Sequence, residues 1–369
     1  MSHIERVTIH RRTIPFTRAF VTAIRTAHAI DAILLEVADS DGRSGWGEAP
    51  TSWRVTGESA ESVTAALLGP LRETVIGRSS SEPELLSAEL EHAVARNSSA
   101  RSALDCALYD LAARVAEVPL FRYLGGTANE VRTDMTLSAV VDESQVESLC
   151  RTALEFAKAG LNTLKIKVGA GGDDVRVVMA VRDAVGPGVE LRVDANQGWT
   201  PRSAVRIIGA LEDAGAGLEL VEQPVSRDDT EGLAYVTSRV QTPVMADEAI
   251  ATTRDLREII RLRAADMINI KLAKSGGLRE ALELARLADE NDVVAIVGCM
   301  AESHVGIAAA AALASAMGSG ARRETIAHDL DGGLLLTDSP VEGGVNYDGD
   351  RVLLSDSPGT GISGWSVSH

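Results

Sequence analysis

Eight short apolar runs recur between residues 135 and 327 at intervals of roughly 25 residues, and amphipathic helical stretches fill the gaps between them. They occupy 135–141, 163–168, 190–194, 218–222, 244–247, 267–272, 293–297 and 324–327. The stretches between them carry helix boundary signals. Residues 143–159 stop at Gly160, a glycine in the C′ position, and Thr200 followed by Pro201 supplies an N-cap with proline at N1. Strands alternating with helices at this period predict an α/β fold built on a parallel β/α barrel. An open doubly wound sheet is the alternative.

Residues 1–127 follow a different rhythm. Strand-like stretches at 6–14 and 30–37, with turn signals at 39–42, precede helical segments at about 58–76, 82–96 and 98–115. That order predicts an N-terminal α+β capping domain, then a barrel over 128–333, then a segment over 334–369 that packs back on the cap. Residues 359–364, G-T-G-I-S-G, match a dinucleotide-binding fingerprint letter for letter. They follow no clear strand and leave five residues for a helix, so they are read as turn glycines.

The net charge of −17 argues against nucleic acid or an anionic membrane as partner. The most apolar stretch, 305–317, is alanine-rich and shorter than the ~20 residues a membrane helix needs. Three widely spaced cysteines and no basic-then-apolar leader suit a reducing cytoplasm.

Catalytic groups of a parallel barrel sit where its strands end. The second strand ends K-I-K-V-G, with Lys165 and Lys167 on one face. The third ends in Asp194, the fourth in Glu222, the fifth in Asp247 and the sixth in Lys271. The intervals from Asp194 to Lys271 are 28, 25 and 24 residues, each one β/α unit. Three carboxylates on adjacent strand ends repel one another, and a divalent cation resolves the repulsion. All-oxygen ligation selects Mg2+ or Mn2+ over zinc. Asn196 and Glu248 are close enough in sequence to support the ligands. The bland alternatives are that each acid caps a helix or meets an arginine, and that the two strand-two lysines merely partner the acids, which leaves Lys271 unexplained.

Lys167 and Lys271 lie on opposite sides of an eight-strand ring, with the acids between them. A substrate carboxylate on the metal would present its α-carbon between two amines, and the cation would stabilise the enediolate left when the α-proton departs. Positive charge from Lys165 and the metal would lower the pKa of Lys167 and make it a base.

The motifs K-x-K, D-x-N, E-Q-P, A-D-E and N-I-K-x-x-K-x-G-G, in this order, resemble the enolase superfamily and its muconate lactonizing enzyme subgroup. The resemblance spans nearly the whole chain and implies a (β/α)7β barrel under an α+β cap. It implies Lys167 and Lys271 as the acid/base pair, Asp194, Glu222 and Asp247 as ligands of one Mg2+ per subunit, and subunits that often form symmetric homo-oligomers.

The subgroup includes muconate cycloisomerisation, o-succinylbenzoate synthesis, N-acylamino acid racemisation and dipeptide epimerisation. A-H-D-L-D-G-G at 327–333 carries Asp329 and Asp331, and a D-x-D there resembles the epimerases, where the pair holds the dipeptide's ammonium. Arg25 in F-V-T-A-I-R-T matches an arginine that meets the acidic side chain of Ala-Glu. G-C-M-A-E-S at 298–303 also looks like the epimerase pattern, with Cys299 and Met300 as substrate-wall residues and Cys299 no nucleophile. The expectation is therefore an isomerase, a dipeptide epimerase of L-Ala-L-Glu type. A non-catalytic barrel that retains its metal ligands is the competing reading from another class.

Overall fold

The computed structural model describes residues 2–22, 26–317 and 326–366. The cap opens with β1 (Ile4–Val21), β2 (Thr26–Asp39) and β3 (Ser44–Ala49), an antiparallel sheet in the order β1-β2-β3. The helix Ser98–Val115 lies against β3 closely enough to explain two glycines. A Cβ at Gly47 would fall 1.9 Å from the Ala103 carbonyl oxygen, and one at Gly45 would fall 2.1 Å from that of Ala107. Helices Ala60–Ala66, Arg72–Val75 and Pro83–Ala93 complete this layer around Ile33, Leu35, Val63, Leu67 and Leu104.

The β1–β2 hairpin is much longer than its sequence pattern suggested. Its register shifts between Pro15 and Phe20, past which the hairpin leaves the cap's core. Phe16 there bridges to Leu336 and joins a separate apolar cluster with Trp46, Val305 and Ile362. On the β1 side Thr17, Arg18 and Ala19 are exposed in succession, so alternation does not mark that stretch as strand.

The barrel is the expected one. After the short β4 (Glu130–Arg132) come β5 (Met135–Leu137), β6 (Thr163–Lys167), β7 (Glu190–Asp194), β8 (Leu218–Glu222), β9 (Val244–Ala246), β10 (Met267–Lys271) and β11 (Val294–Gly298). The last seven form one parallel sheet, each strand beside its sequence neighbour. Closure comes at His328 and Asp329, which bridge to Thr133 and Gly298 respectively. The expected eighth strand at 324–327 falls partly outside the described residues, and the closing contacts lie just after it. Between the strands, helices bury apolar faces. Pro201–Asp213 begins at a capping box in which Thr200 and Ser203 exchange hydrogen bonds.

The C-terminal residues form β12 (Val341–Gly343), β13 (Asn346–Asp348), β14 (Arg351–Leu353) and β15 (Ile362–Trp365). β14 pairs with β4, whereas Trp365 of β15 stands over Trp46 and His10 of the cap, with ring centroids 4.7 and 4.1 Å apart. Gly359 and Gly361 have φ of +70° and +76° and lead into β15 rather than a helix. The alanine-rich run at 305–317 is the buried helix His304–Ala316. Among the described residues no helix is long and apolar enough to cross a membrane.

Two cap carboxylates terminate barrel helices. Glu48 on β3 accepts from the backbone N–H groups of Ser303 and Gly306 at the start of His304–Ala316. Asp105 accepts from the N–H of Leu278 at the start of Leu278–Asp289. Each satisfies donors that a helix N-terminus leaves unpaired.

Candidate active site

The register of the parallel sheet aligns three of the expected residues. Lys167 is opposite Asp194 across β6 and β7, and Asp194 is opposite Glu222 across β7 and β8. Asp247 follows the end of β9, and Lys271 closes β10 on the far side. All five side chains are buried. Lys167 Nζ stands 2.5 Å from Asp194 Oδ2 and Lys271 Nζ 2.9 Å from Asp247 Oδ2. Lys167 thus ends on an acid, as the bland alternative allowed, and so does Lys271, which that alternative left unexplained; the two flank the acidic sector from opposite sides.

Lys165, on the same face as Lys167, turns to Asp329 at 2.5 Å, with Glu222 Oε2 at 3.6 Å. Burial works to lower its pKa, but the charges of Asp329 and Glu222 hold it well above the usual lysine range. Lys271 is held up in the same way by Asp247 and Asp329 against its burial. Lys165 thus faces Asp329 directly, with Glu222 beyond it.

Burial, followed by the neighbouring Asp194, pushes the Glu222 carboxyl up to about 7. Burial, followed by Asp247, does the same to Glu248, also to about 7. Asp247 is buried too, but Lys271 and Lys274 hold it below the usual carboxylate range.

Asn196 and Glu248 sit beside the acids. The Asn196 backbone N–H donates to Asp194 Oδ1 at 2.8 Å, and its amide reaches Asp194 at 3.3 Å and Glu248 at 3.4 Å. Asn196 takes a left-handed φ of +40° to do so.

Three further residues complete the arrangement, and their strand-end motifs held the signal. Gln223 of E-Q-P accepts from the N–H groups of Asp247 and Ala249, which fixes the loop after β9. Asn269 of N-I-K donates to Glu222 and to Asp329. Lys274, one turn after Lys271, donates to the Asp247 carbonyl and carboxylate.

Asp331 accepts from the Thr136 N–H at 2.7 Å and stands at the start of the short helix Gly332–Leu335. Cys299 is a buried wall residue whose thiol burial holds far above its usual pKa, with Met300 beside it. Phe16, Phe20, Thr22, Ser52 and Val55 bring the cap over the same pocket. Arg25 lies outside the described residues.

Two groups of acids could serve a cation. Oxygens of Asp134, Asp329 and Asp331 lie within 4.8 Å of one another, and Asp134 Oδ1 is the one side-chain oxygen of these three residues that is buried without a hydrogen-bond partner. Around Asp194, Glu222 and Asp247 the buried oxygens Glu222 Oε2, Glu248 Oε2 and Asn196 Oδ1 have no hydrogen-bond partner. Buried acceptors without donors, in an all-oxygen set, suit a hard divalent cation. The second group fits better.

Residues 4–125 match the mandelate racemase/muconate lactonizing enzyme N-terminal domain, and residues 148–364 match the enolase C-terminal domain-like family. Over 98% of its length the chain is 38% identical to an L-Ala-D/L-Glu epimerase from Bacillus subtilis, covering 97% of that protein. It is 39% identical to a hydrophobic dipeptide epimerase from Enterococcus faecalis, over 98% of this chain and 99% of that one. A substrate-liganded complex of the Bacillus subtilis L-Ala-D/L-Glu epimerase superposes with a TM-score of 0.94 at 38% identity, over 99% of this chain and 100% of that one. The Enterococcus faecalis dipeptide epimerase with Mg and L-Leu-L-Tyr gives 0.91 at 38% identity, over 98% and 99%. The architecture, the order of the strand-end residues and these full-length matches agree: this chain belongs to the mandelate racemase/muconate lactonizing enzyme family of the enolase superfamily.

Proposed function

We propose that this protein is a Mg2+-dependent dipeptide epimerase that inverts the α-carbon of the second residue. The observation that carries the reading is the placement of Lys167 and Lys271 on opposite flanks of a buried acidic sector, with Asp329 and Asp331 on the remaining arc of the ring. Asp194, Glu222 and Asp247 are the residues that would hold the cation. When bound, it supplies positive charge to the substrate's terminal carboxylate as electron density moves there.

One lysine, as the neutral amine, takes the α-proton and becomes an ammonium, while the C–H electron pair passes into the carboxylate. The other lysine delivers a proton to the opposite face, and the configuration is inverted. Two-base transfer of this kind requires one amine on each side of the carbon. Asp329 and Asp331 receive the free ammonium, a pairing that an N-acylated amino acid or a muconate could not offer. The cap hairpin and the loop at Ser52 and Val55 exclude water from above.

L-Ala-L-Glu is the first substrate to test, since two of the most similar curated relatives are named for it. Arg25, in the connection between β1 and β2, is proposed to meet the acidic side chain. Mn2+ is expected to substitute for Mg2+. We also infer three units: a cap over 1–127, a catalytic barrel over 128–333, and a terminal segment over 334–369. The deciding experiment follows solvent deuterium into L,L-dipeptides by mass, together with loss of optical purity at the second residue. Deuterium uptake and epimerisation of L-Ala-L-Glu support the reading. Turnover of muconate or N-acyl amino acids in its place would overturn it.

A further inference from the structure

Beside the catalytic pocket lies a second, larger cavity that the reaction as described does not use. The catalytic pocket has a volume of about 80 Å³, whereas this neighbour, partly open to solvent, has about 420 Å³. Phe20, Thr136 and Leu335 line both. The cavity runs between the β1 end of the cap hairpin on one side and β5 and the helix Val146–Lys158 on the other.

Its frame is built rather than accidental. At one edge Ala139 N–H donates to the Val21 carbonyl, and Val21 N–H donates to Ser138 Oγ. At the other edge Arg18 reaches across to the helix, donating to Thr152 at 2.7 Å and Glu155 at 2.8 Å, with its guanidinium 5.9 Å from the Phe156 ring. These bonds tie the hairpin to the barrel at both edges of the cavity. Between them the walls are mostly apolar, formed by Met135, Leu137, Leu149, Phe156 and Leu334.

Thr136 ties this cavity to the substrate. Its backbone N–H donates to Asp331, one of the two acids assigned to the dipeptide's ammonium, while Thr136 itself lines both spaces. A group attached to the carbon that bears the ammonium therefore stands next to the shared wall.

We propose that this cavity receives the side chain of the dipeptide's first residue, so that the enzyme prefers bulky apolar first residues such as leucine or phenylalanine over alanine. The inference rests on the dipeptide epimerase reading and adds the substrate class to it. Arg18 adds no demand for an acidic side chain, because Glu155 already answers its charge. An apolar group that leaves water for these walls gains free energy for every carbon buried, and three carbons beyond alanine support a preference of roughly tenfold or more.

The test compares kcat/KM for L-Leu-L-Glu, L-Phe-L-Glu and L-Ala-L-Glu, with the second residue held constant, alongside L-Leu-L-Ala and L-Ala-L-Leu. The expected result is an advantage of about tenfold for the bulky first residue, carried largely by KM. Ser148→Trp introduces an indole at the cavity's outer wall and should reduce the ratio of L-Leu-L-Glu to L-Ala-L-Glu, whereas Ser148→Ala should keep it. Three results would overturn the proposal: L-Ala-L-Glu turned over faster than L-Leu-L-Glu, a ratio indifferent to Ser148→Trp, or a gain confined to L-Ala-L-Leu, which would give the cavity to the second residue. With L-Ala-L-Glu epimerised, those results leave the epimerase reading intact. Turnover of none of the dipeptides would remove the reading and this inference together.

Discussion

Glu222 and Asp329 share one donor. The Asn269 amide gives a hydrogen bond to each, at 2.9 and 3.1 Å, and so joins a proposed metal ligand to a proposed ammonium ligand. Asn269→Ala should weaken both ends at once. Support residues of this kind are typically worth about 10–100-fold in metal affinity or activity. Mg2+ titration of activity checks one end, and the KM for L-Ala-L-Glu checks the other. A loss confined to either end would refute the coupling.

Removing the metal should silence the enzyme. EDTA treatment is expected to abolish epimerisation, and Mg2+ or Mn2+ to restore it. Asp247→Asn should raise the Mg2+ concentration needed for half-maximal activity, because the neutral amide replaces a buried anion that two lysines already hold ionised. Full turnover by metal-free protein would contradict the assignment of the three acids.

The lysines should separate by stereochemistry. Lys271→Ala and Lys167→Ala should each lower epimerisation by roughly 10²–10⁴-fold, the usual contribution of a positioned acid or base. Each variant should still wash deuterium into one epimer through the lysine that remains. Exchange measured separately on L,L and L,D dipeptides tests this, and a single variant that epimerises normally would disprove the two-base scheme.

Charge at the first residue should matter as strongly. N-acetylation removes the ammonium that Asp329 and Asp331 are proposed to hold. The loss of a buried charge-assisted interaction is worth about 2–5 kcal/mol, or about 30-fold or more in kcat/KM. Equal turnover of N-acetyl-L-Ala-L-Glu would return the site to the acylamino acid racemases.

Stability should depend on pH through Glu302. Burial, reinforced by Glu48, lifts its carboxyl to about 8 from an ordinary 4.5. Between those values the folded protein keeps a proton that the unfolded chain has released. Stability is therefore present below about 4.5 and lost as pH rises toward 8, with a ceiling of about 1.4 kcal/mol per unit. Glu302→Gln keeps an acceptor for the Met300 N–H and removes the titration. Its melting temperature should exceed the parent's at pH 8, with the gap shrinking toward pH 5. A constant gap would point to packing instead.

The barrel was legible because each strand is a short apolar run bounded by helix signals, and β6, β7, β8 and β10 fall within a residue of where those runs place them. The same periodicity aligned Lys167, Asp194 and Glu222, which the sheet register then set side by side. Asn269 and Lys274 were harder to read. Both sit inside N-I-K-L-A-K, but a buried amide or amine declares its partners only when other strands bring them near. Barrel closure was legible only in part: the run at 324–327 is described from residue 326 onward, and the bridges that close the ring are made by His328 and Asp329 just after it. The outer half of the β1–β2 hairpin lacked alternation because its partners are Leu336 and the terminal segment, hundreds of residues away.

Glu48 and Asp105 carry a consequence for how the molecule comes apart. Both belong to the cap, and both answer the open donors of helices that belong to the barrel. A barrel freed of its cap would begin two of its helices without their side-chain caps, at a cost of about 0.5–2 kcal/mol for each before any lost packing. Cap and barrel are two units by architecture but one by thermodynamics. Denaturant should melt them in a single cooperative transition, and proteolysis should release neither as a surviving fragment.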